Sequence, residues 1–187
     1  MGPWETHEIH NQFDEWRGEN LLDADPALQA VLARLGAQPW VPQLHRYAQE
    51  LGSAQTWELA RWANTAGPQL QRFDARGRLR ETVEFHPAWH ALMGMYRAQG
   101  LISLPFDNDV PGRFSAWAAG FYLHSQVEQG SMCPATMTTA AIPLLRKEPV
   151  LWAQLEQGLY SRSYDSRHLP CSQKTSLWIG IGMTEKQ

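Results

Sequence analysis

The stretch RFSAWAAGFYLHSQVEQG, residues 113–130, decides the fold class of this 187-residue chain. Phe114, Trp117 and Phe121 recur at the three- and four-residue spacing of an α-helix. Alanine residues between them, and Tyr122 and Leu123 directly after them, make the stretch apolar on most sides. A helix that is apolar all round is buried. We therefore predict that residues 113–130 form the longest helix, at the centre of a mainly helical domain.

Shorter helical segments flank this stretch, and each opens with a capping residue or a proline. Asp25-Pro26 and His86-Pro87 are two such openings, because the first turn of a helix needs a side-chain acceptor and tolerates proline. Gly36, Gly52 and Gly100 close three of the periodic runs. The pattern predicts a bundle of about six helices over residues 20–160.

Two stretches depart from the helical period. The first is 69–85, where a turn-forming DARG tetrad at 74–77 separates two extended runs, which predicts a short exposed hairpin or loop. The second is TSLWIGIGMT, residues 175–184, which is typical of a strand. A sheet needs at least one more strand to satisfy the exposed backbone groups, and only three residues follow. We therefore expect the chain to stop inside an element of a second domain.

Composition excludes several classes of protein. The net charge of −3 lacks the cationic excess of a basic nucleic-acid domain, and 43% hydrophobic residues are too many for a disordered chain. The most apolar stretch, 177–183, is far short of the ~20 residues that span a bilayer, so we expect a soluble cytoplasmic protein. Cys133 and Cys171 fit no CxxC pattern and are interpreted as buried or idle thiols in a reducing compartment.

Local motifs for metal or phosphate binding are weak. His86 and His90 have the i, i+4 spacing of a zinc helix, but Pro87 replaces the glutamate of a zinc protease, so a cap and a packed histidine are favoured. Gly180 and Gly182 lack the third glycine and the helix of a dinucleotide fingerprint, although another planar, polar cofactor at this strand end stays open. No metal site is predicted, and no catalytic residue is assigned.

Side chains in two further groups have structural interpretations. Cys133 lacks an adjacent base, so a nucleophilic role is weak. The polar run 126–139 fits either the lining of a pocket or a packed turn between helices. The tryptophans at helical positions are interpreted as core fillers; they include Trp57, Trp62, Trp89 and Trp117.

Several segments together resemble the N-terminal part of flavin-dependent acyl-CoA dehydrogenases, and more narrowly their AidB-like branch, associated with the bacterial adaptive response to DNA alkylation. The most distinctive is VEFHPAWHALM at 83–93. The others, in chain order, are THEIHNQ at 6–12, ELARWAN at 58–64, QVEQGSMCP at 126–134 with Met137 and Thr138, SRSYD at 161–165, and GIGMTEKQ at 180–187. The matches run through essentially the whole chain in the right order.

This resemblance implies a cofactor and its contacts. FAD is expected in the intact family, and the residues matched to its contacts are Met183, Thr184, Glu185, Lys186 and Gln187. Met137 and Thr138 become candidates for the substrate channel. The resemblance also implies a helical domain with an N-terminal extension at 1–170, and the first strand of a truncated middle β-domain at 171–187.

Two functions follow from these expectations. The first is a fragment of an acyl-CoA dehydrogenase-like protein of the alkylation response, whose intact form transfers a hydride from an acyl-CoA-like substrate to FAD. The alternative is a non-catalytic helical module that acts only in protein association. The resemblance implies a homo-oligomer, a tetramer in the family, and DNA binding through a C-terminal region absent here. Alone, the chain is expected to be inactive and to retain no FAD.

Truncation also leads us to expect self-association. Without the rest of the family's fold, the faces of 113–130 and 135–145 and the strand 177–183 would leave an apolar patch. The side chains expected in that patch are Phe121, Tyr122, Met137, Ile142 and Trp178.

Overall fold

The computed structural model describes residues 10–13, 16–106 and 109–182. Within these ranges the chain forms seven α-helices and one two-stranded sheet, which confirms a mainly helical domain with an extended excursion. The helices are α1 (Pro26–Arg34), α2 (Val41–Gly52), α3 (Ala54–Thr65), α4 (Pro87–Ala98), α5 (Arg113–Ser125), α6 (Met132–Leu145) and α7 (Pro149–Tyr160). The strands are β1 (Gln69–Phe73) and β2 (Leu79–Glu84).

Helix starts follow the caps that the sequence predicts. Asp25 accepts a hydrogen bond from the backbone N–H of Leu28 at 2.8 Å, and a proline follows it. His86 caps α4 by accepting from the N–H of Ala88 at 3.1 Å. These bonds satisfy N–H groups that a helix leaves without partners at its first turn.

Helix α5 is shorter than predicted. It ends at Ser125 rather than near residue 130, because the N–H groups of Val127 and Glu128 both donate to the carbonyl of His124 and close a tight turn. The Glu128 carboxylate then accepts from the N–H groups of Gly130 and Ser131. At 14 residues, α6 is the longest helix in the described ranges, one residue longer than α5.

The core lies where α5 packs against α1 and α2, while α3 packs on α4 and α6 on α7. Leu123 and His124 of α5 are fully buried, as expected for a central helix. Phe114 and Tyr122 are 55% and 46% exposed, so the prediction that α5 is buried all round is wrong for one face. Trp62 is also exposed, which contradicts its interpretation as a core filler.

The hairpin is confirmed between α3 and α4. Strands β1 and β2 are antiparallel, with Leu70 opposite Val83. The Asp74 carboxylate accepts from the N–H groups of Arg76 and Arg78, which holds the predicted turn closed. The register shifts after Gln71.

The predicted C-terminal strand is wrong for the part that the structure describes. Residues 175–182, the described part of the predicted strand 175–184, form neither helix nor strand. Their backbone bonds go to helices instead, because Leu177 donates to the carbonyl of Gly158 and Ile179 donates to the hydroxyl of Thr138. A lone extended segment cannot form a strand without a neighbour, and these contacts replace the neighbour.

The predicted apolar patch is also wrong for some of its side chains, because they are not exposed. Ile142 is fully buried and Trp178 packs half-buried against the core, while Phe121 is partly buried and Tyr122 is exposed.

None of the helices in the described ranges approaches the length and apolarity that crossing a bilayer requires.

Candidate functional site

The predicted cofactor residues Met183, Thr184, Glu185, Lys186 and Gln187 lie outside the described residues. The structure describes the segment that leads to them. We call residues 177–182 the approach segment. Leu177 donates to the Gly158 carbonyl at 3.0 Å, and Ile179 donates to Thr138 Oγ1 at 3.1 Å. The carbonyl of Leu177 accepts from the Arg97 guanidinium. Three helices, α4, α6 and α7, therefore fix the start of this segment.

Arg97 is a buried cation that binds backbone rather than a carboxylate. One terminal nitrogen donates to the carbonyls of Gly158 at 3.1 Å and Ser161 at 2.6 Å. These carbonyls belong to the C-terminal end of α7, where the helix dipole favours positive charge. The guanidinium also lies 4.6 Å from the centroid of the Trp178 ring. Burial lowers the pKa of Arg97 to about 10, so the side chain stays charged at neutral pH.

Thr138 is fully buried on α6. Its hydroxyl donates to the carbonyl of Pro134 at 2.8 Å and accepts from the N–H of Ile179. Both roles of this hydroxyl are therefore used within the chain. Met137, the other predicted substrate-channel residue, directly precedes Thr138 in the sequence and is half-buried. The structure brings Thr138, but not Met137, into bonding contact with the approach segment.

The end of the approach segment is open. A Cβ at Gly180 or at Gly182 would meet no atom within 4 Å, and Ile181 is exposed. Glycine lets a ligand come close to the backbone. The residues that follow include two donor side chains, the Thr184 hydroxyl and the Lys186 ammonium, of the types that donate to a polar ring and to phosphates. The residues present are thus compatible with FAD at this end of the chain.

A buried carboxylate organises the loop before the approach segment. Asp165 accepts from the Arg167 guanidinium through both of its oxygens at 2.8 Å, and from the Thr175 N–H at 3.0 Å. These bonds hold the pKa of Asp165 well below its usual range. The N–H of Asp165 donates in turn to the buried Ser176 hydroxyl, which ties the loop to the residue before Leu177.

The histidines of the FHPAWH motif have structural roles. His86 is the cap described above, and His90 shares a 2.6 Å hydrogen bond with the hydroxyl of Tyr164. Burial, and secondarily His168, lower the pKa of His90. Phe85 and Trp89 stack at 4.1 Å beside it and line a cleft of about 240 Å³. The preferred interpretation of a cap and a packed histidine is confirmed.

A second polar cluster lies in the core, where sequence reasoning missed it. His124 is fully buried, with one ring nitrogen 2.6 Å from the Tyr47 hydroxyl and the other 2.8 Å from Ser131 Oγ. Burial lowers its pKa to about 4, so the ring is neutral at pH 7. The available signal was a histidine inside the apolar stretch that decides the fold.

The two cysteines are free and exposed, so of the two interpretations, buried or idle thiols, burial is excluded. Cys171 lines a polar cavity of about 520 Å³ together with Gln157, Ser161 and Lys174. Cys133 lies in the first turn of α6.

Comparison with known proteins gives consistent matches. Residues 11–166 match the family model for the adaptive response protein AidB N-terminal domain. The chain is 45% identical over 186 residues to the putative acyl-CoA dehydrogenase AidB of Escherichia coli strain K12, covering 98% of this chain. It spans about a third of that relative's length, 34%.

Two solved structures share the fold. Bd2924 in its apo-form is similar with a TM-score of 0.74 and 25% identity, over 80% of this chain and 31% of that one. Caenorhabditis elegans ACDH-11, solved in complex with C11-CoA, is similar with a TM-score of 0.70 and 23% identity, over 85% of this chain and 29% of that one. The second likeness bears on the fold alone.

Proposed function

Because this chain belongs to the AidB N-terminal domain family and is acyl-CoA dehydrogenase-like, we propose that it is the helical part of an FAD-dependent enzyme. The observation that carries the proposal is the fixed approach segment. Bonds from three helices hold Leu177 and Ile179, a few residues before those that the resemblance assigns to the flavin. We propose that Met183, Thr184, Glu185, Lys186 and Gln187 contact FAD in the intact protein.

The division of labour within the intact protein follows from this assignment. Residues 1–170 form the helical domain, and 171–187 lead into a β-domain. Bound FAD supplies a hydride acceptor for an acyl-CoA-like substrate. Residues of this chain hold one wall of that site, with Met137 at the substrate channel, and contribute no catalytic group. Because hydride transfer needs substrate, flavin and base in one geometry, the 187-residue chain alone is inactive and retains no FAD.

The cellular setting is part of the same proposal. Membership of the AidB family supports a role in the adaptive response to DNA alkylation. We propose a cytoplasmic homo-oligomer, a tetramer as the family resemblance implies. DNA would be bound through the part of the intact protein that lies outside this chain.

The test compares this chain with a chimera in which residues 1–187 replace the matching part of the E. coli relative. We expect the purified chimera to be yellow, with a flavin absorbance band, and the 187-residue chain to be colourless after FAD is added and removed. Only the chimera should reduce an artificial electron acceptor with an acyl-CoA. A colourless chimera would contradict the flavin assignment, and turnover by the chain alone would contradict the proposed division of labour.

A non-catalytic association module is the second candidate. Exposed apolar side chains on the hairpin favour it, since Leu70, Phe73 and Leu79 are each more than half exposed. If the chimera binds no FAD and its hairpin contacts another protein, the association module is supported over the FAD-dependent enzyme.

A further inference from the structure

We propose that Thr138 is a positioning residue, whose hydroxyl sets the register at which the chain enters the cofactor site. This inference rests on the proposed function for what residues 183–187 do. Its structural content rests on the described residues alone. The resemblance makes Thr138 a substrate-channel candidate, and the buried hydroxyl that bonds Ile179 gives it a different role.

The Thr138 hydroxyl joins two backbones. It donates to Pro134 within α6, which leaves its lone pairs free to accept from Ile179. The contact spans 41 residues of sequence, so local helix geometry does not require it. Ile179 is also the last residue of the approach segment for which the structure gives a hydrogen bond to a helix.

The distance to the assigned FAD contacts explains why this bond matters. Only four positions of sequence separate Ile179 from Met183, the first of the residues assigned to FAD. The bond to Thr138 therefore fixes the backbone at Ile179, the point from which the chain leads on to the residues assigned to the cofactor.

Thr139 provides a matched control for the opposite interpretation, that Thr138 only packs within α6. Both threonines are buried on α6, and each donates to the carbonyl four residues before it, Thr139 to Ala135 at 3.0 Å. Thr138 alone of the two accepts the bond from Ile179. Losing either hydroxyl removes a comparable helix contact, so only the effect on the approach segment separates the two variants.

The decisive measurement is hydrogen exchange at the Ile179 amide of the 187-residue chain. We expect Thr138→Val to speed this exchange on the order of ten-fold, because one neutral hydrogen bond is lost. Thr138→Ser keeps the hydroxyl and restores slow exchange, and Thr139→Val leaves the rate unchanged. Equal rates in Thr138→Val and Thr139→Val would overturn the inference. Global unfolding in urea shows whether each variant is folded.

Flavin binding in the chimera tests the consequence separately. Thr138→Val should weaken FAD binding several-fold, measured by quenching of flavin fluorescence, while Thr139→Val leaves it unchanged. Equal affinities would overturn the positioning role. A chimera that binds no FAD with either threonine present would overturn the proposed function, and the exchange rates of the Ile179 amide would still decide the role of Thr138.

Discussion

Arg97 shows how a single buried charge ties distant parts of the chain together. It bonds carbonyls that lie 61 to 80 residues away and packs on Trp178. We expect Arg97→Met to lower the free energy of unfolding by about 2–4 kcal/mol, because several buried carbonyls lose their donor. The free energy of unfolding of Arg97→Lys should lie between those of the parent and of Arg97→Met, because one ammonium cannot reproduce the planar fork of guanidinium donors. Urea unfolding measures both.

The matched control for Arg97 is Arg76→Met, at an exposed position in the hairpin turn. A surface substitution of this kind should change stability by less than about 0.5 kcal/mol. Equal losses at positions 76 and 97 would show that the carbonyl contacts of Arg97 contribute nothing.

His124 makes stability depend on pH. Burial lowers its pKa to about 4 in the folded chain, from an ordinary value of 6.5. The unfolded chain therefore binds more protons between these two values. The contribution of the neutral His124 ring to the free energy of unfolding is fully present above pH 6.5 and is lost as the pH falls toward 4. The loss amounts to about 3 kcal/mol, at up to about 1.4 kcal/mol per pH unit.

The variant His124→Gln isolates this contribution, because the amide can hydrogen-bond Tyr47 or Ser131 but does not titrate. It should be less stable than the parent at pH 7 and lose less stability between pH 6.5 and pH 4.5. Urea midpoints at the two pH values measure the difference. Identical pH dependence in parent and variant would show that the buried ring is not the titrating group.

At the scale of elements, Gly52 marks a close approach between α2 and the segment before α1. A Cβ at Gly52 would lie 1.8 Å from the carbonyl oxygen of Glu19, and the N–H of Gly18 donates to the Gly52 carbonyl at 2.7 Å. Backbone on both sides leaves no flexible side chain to move. We expect Gly52→Ala to cost about 1–3 kcal/mol and to displace residues 16–20.

The comparison for Gly52→Ala is Gly67→Ala, where a Cβ meets nothing within 4 Å. That variant should unfold within about 0.5 kcal/mol of the parent. Limited proteolysis of the segment before α1 provides a second measurement. A segment that stays protected in Gly52→Ala would mean that the contact with α2 is not what holds it.

Helix starts and the hairpin were predictable because their signals are local. Asp25, His86 and the turn at Asp74 each bond N–H groups within four residues. The absence of a strand at 177–182 was not predictable in the same way, because whether a strand forms depends on a partner elsewhere in the fold. Strand-prone residues there describe a preference, and the bonds to Gly158 and Thr138 decide the outcome.

At the scale of the whole molecule, the buried polar contacts account for most of what the sequence did not predict. Arginine and histidine are usually assigned to the surface, so a pattern of apolar positions places neither Arg97 nor His124 in the core. Their partners lie far along the chain, and only the folded bundle brings them together. The candidate site was predictable to the extent that Thr138 was singled out, although its contact with Ile179 was not.

The exposed apolar surface also belongs to the whole molecule, and one such surface lies around the turn between α6 and α7. Leu144 is 65% exposed, Val150 79% and Leu151 41%, within eight residues of sequence. Exposed apolar side chains that lie together mark a contact surface. Burying apolar surface yields about 25 cal/mol per Å². In isolation the chain should therefore self-associate through this turn as its concentration rises.

Two charged variants locate the contact. Leu144→Lys with Val150→Lys should shift the chain toward monomer in sedimentation and light scattering, because burying two ammonium groups at a contact is costly. Leu70→Lys with Leu79→Lys places the same charges on the hairpin and should leave association unchanged. A reversal of these two results would move the interface to the hairpin, and a monodisperse parent at every concentration would mean that these faces drive no association. The predicted result would identify the α6–α7 turn as the contact surface between copies of the chain.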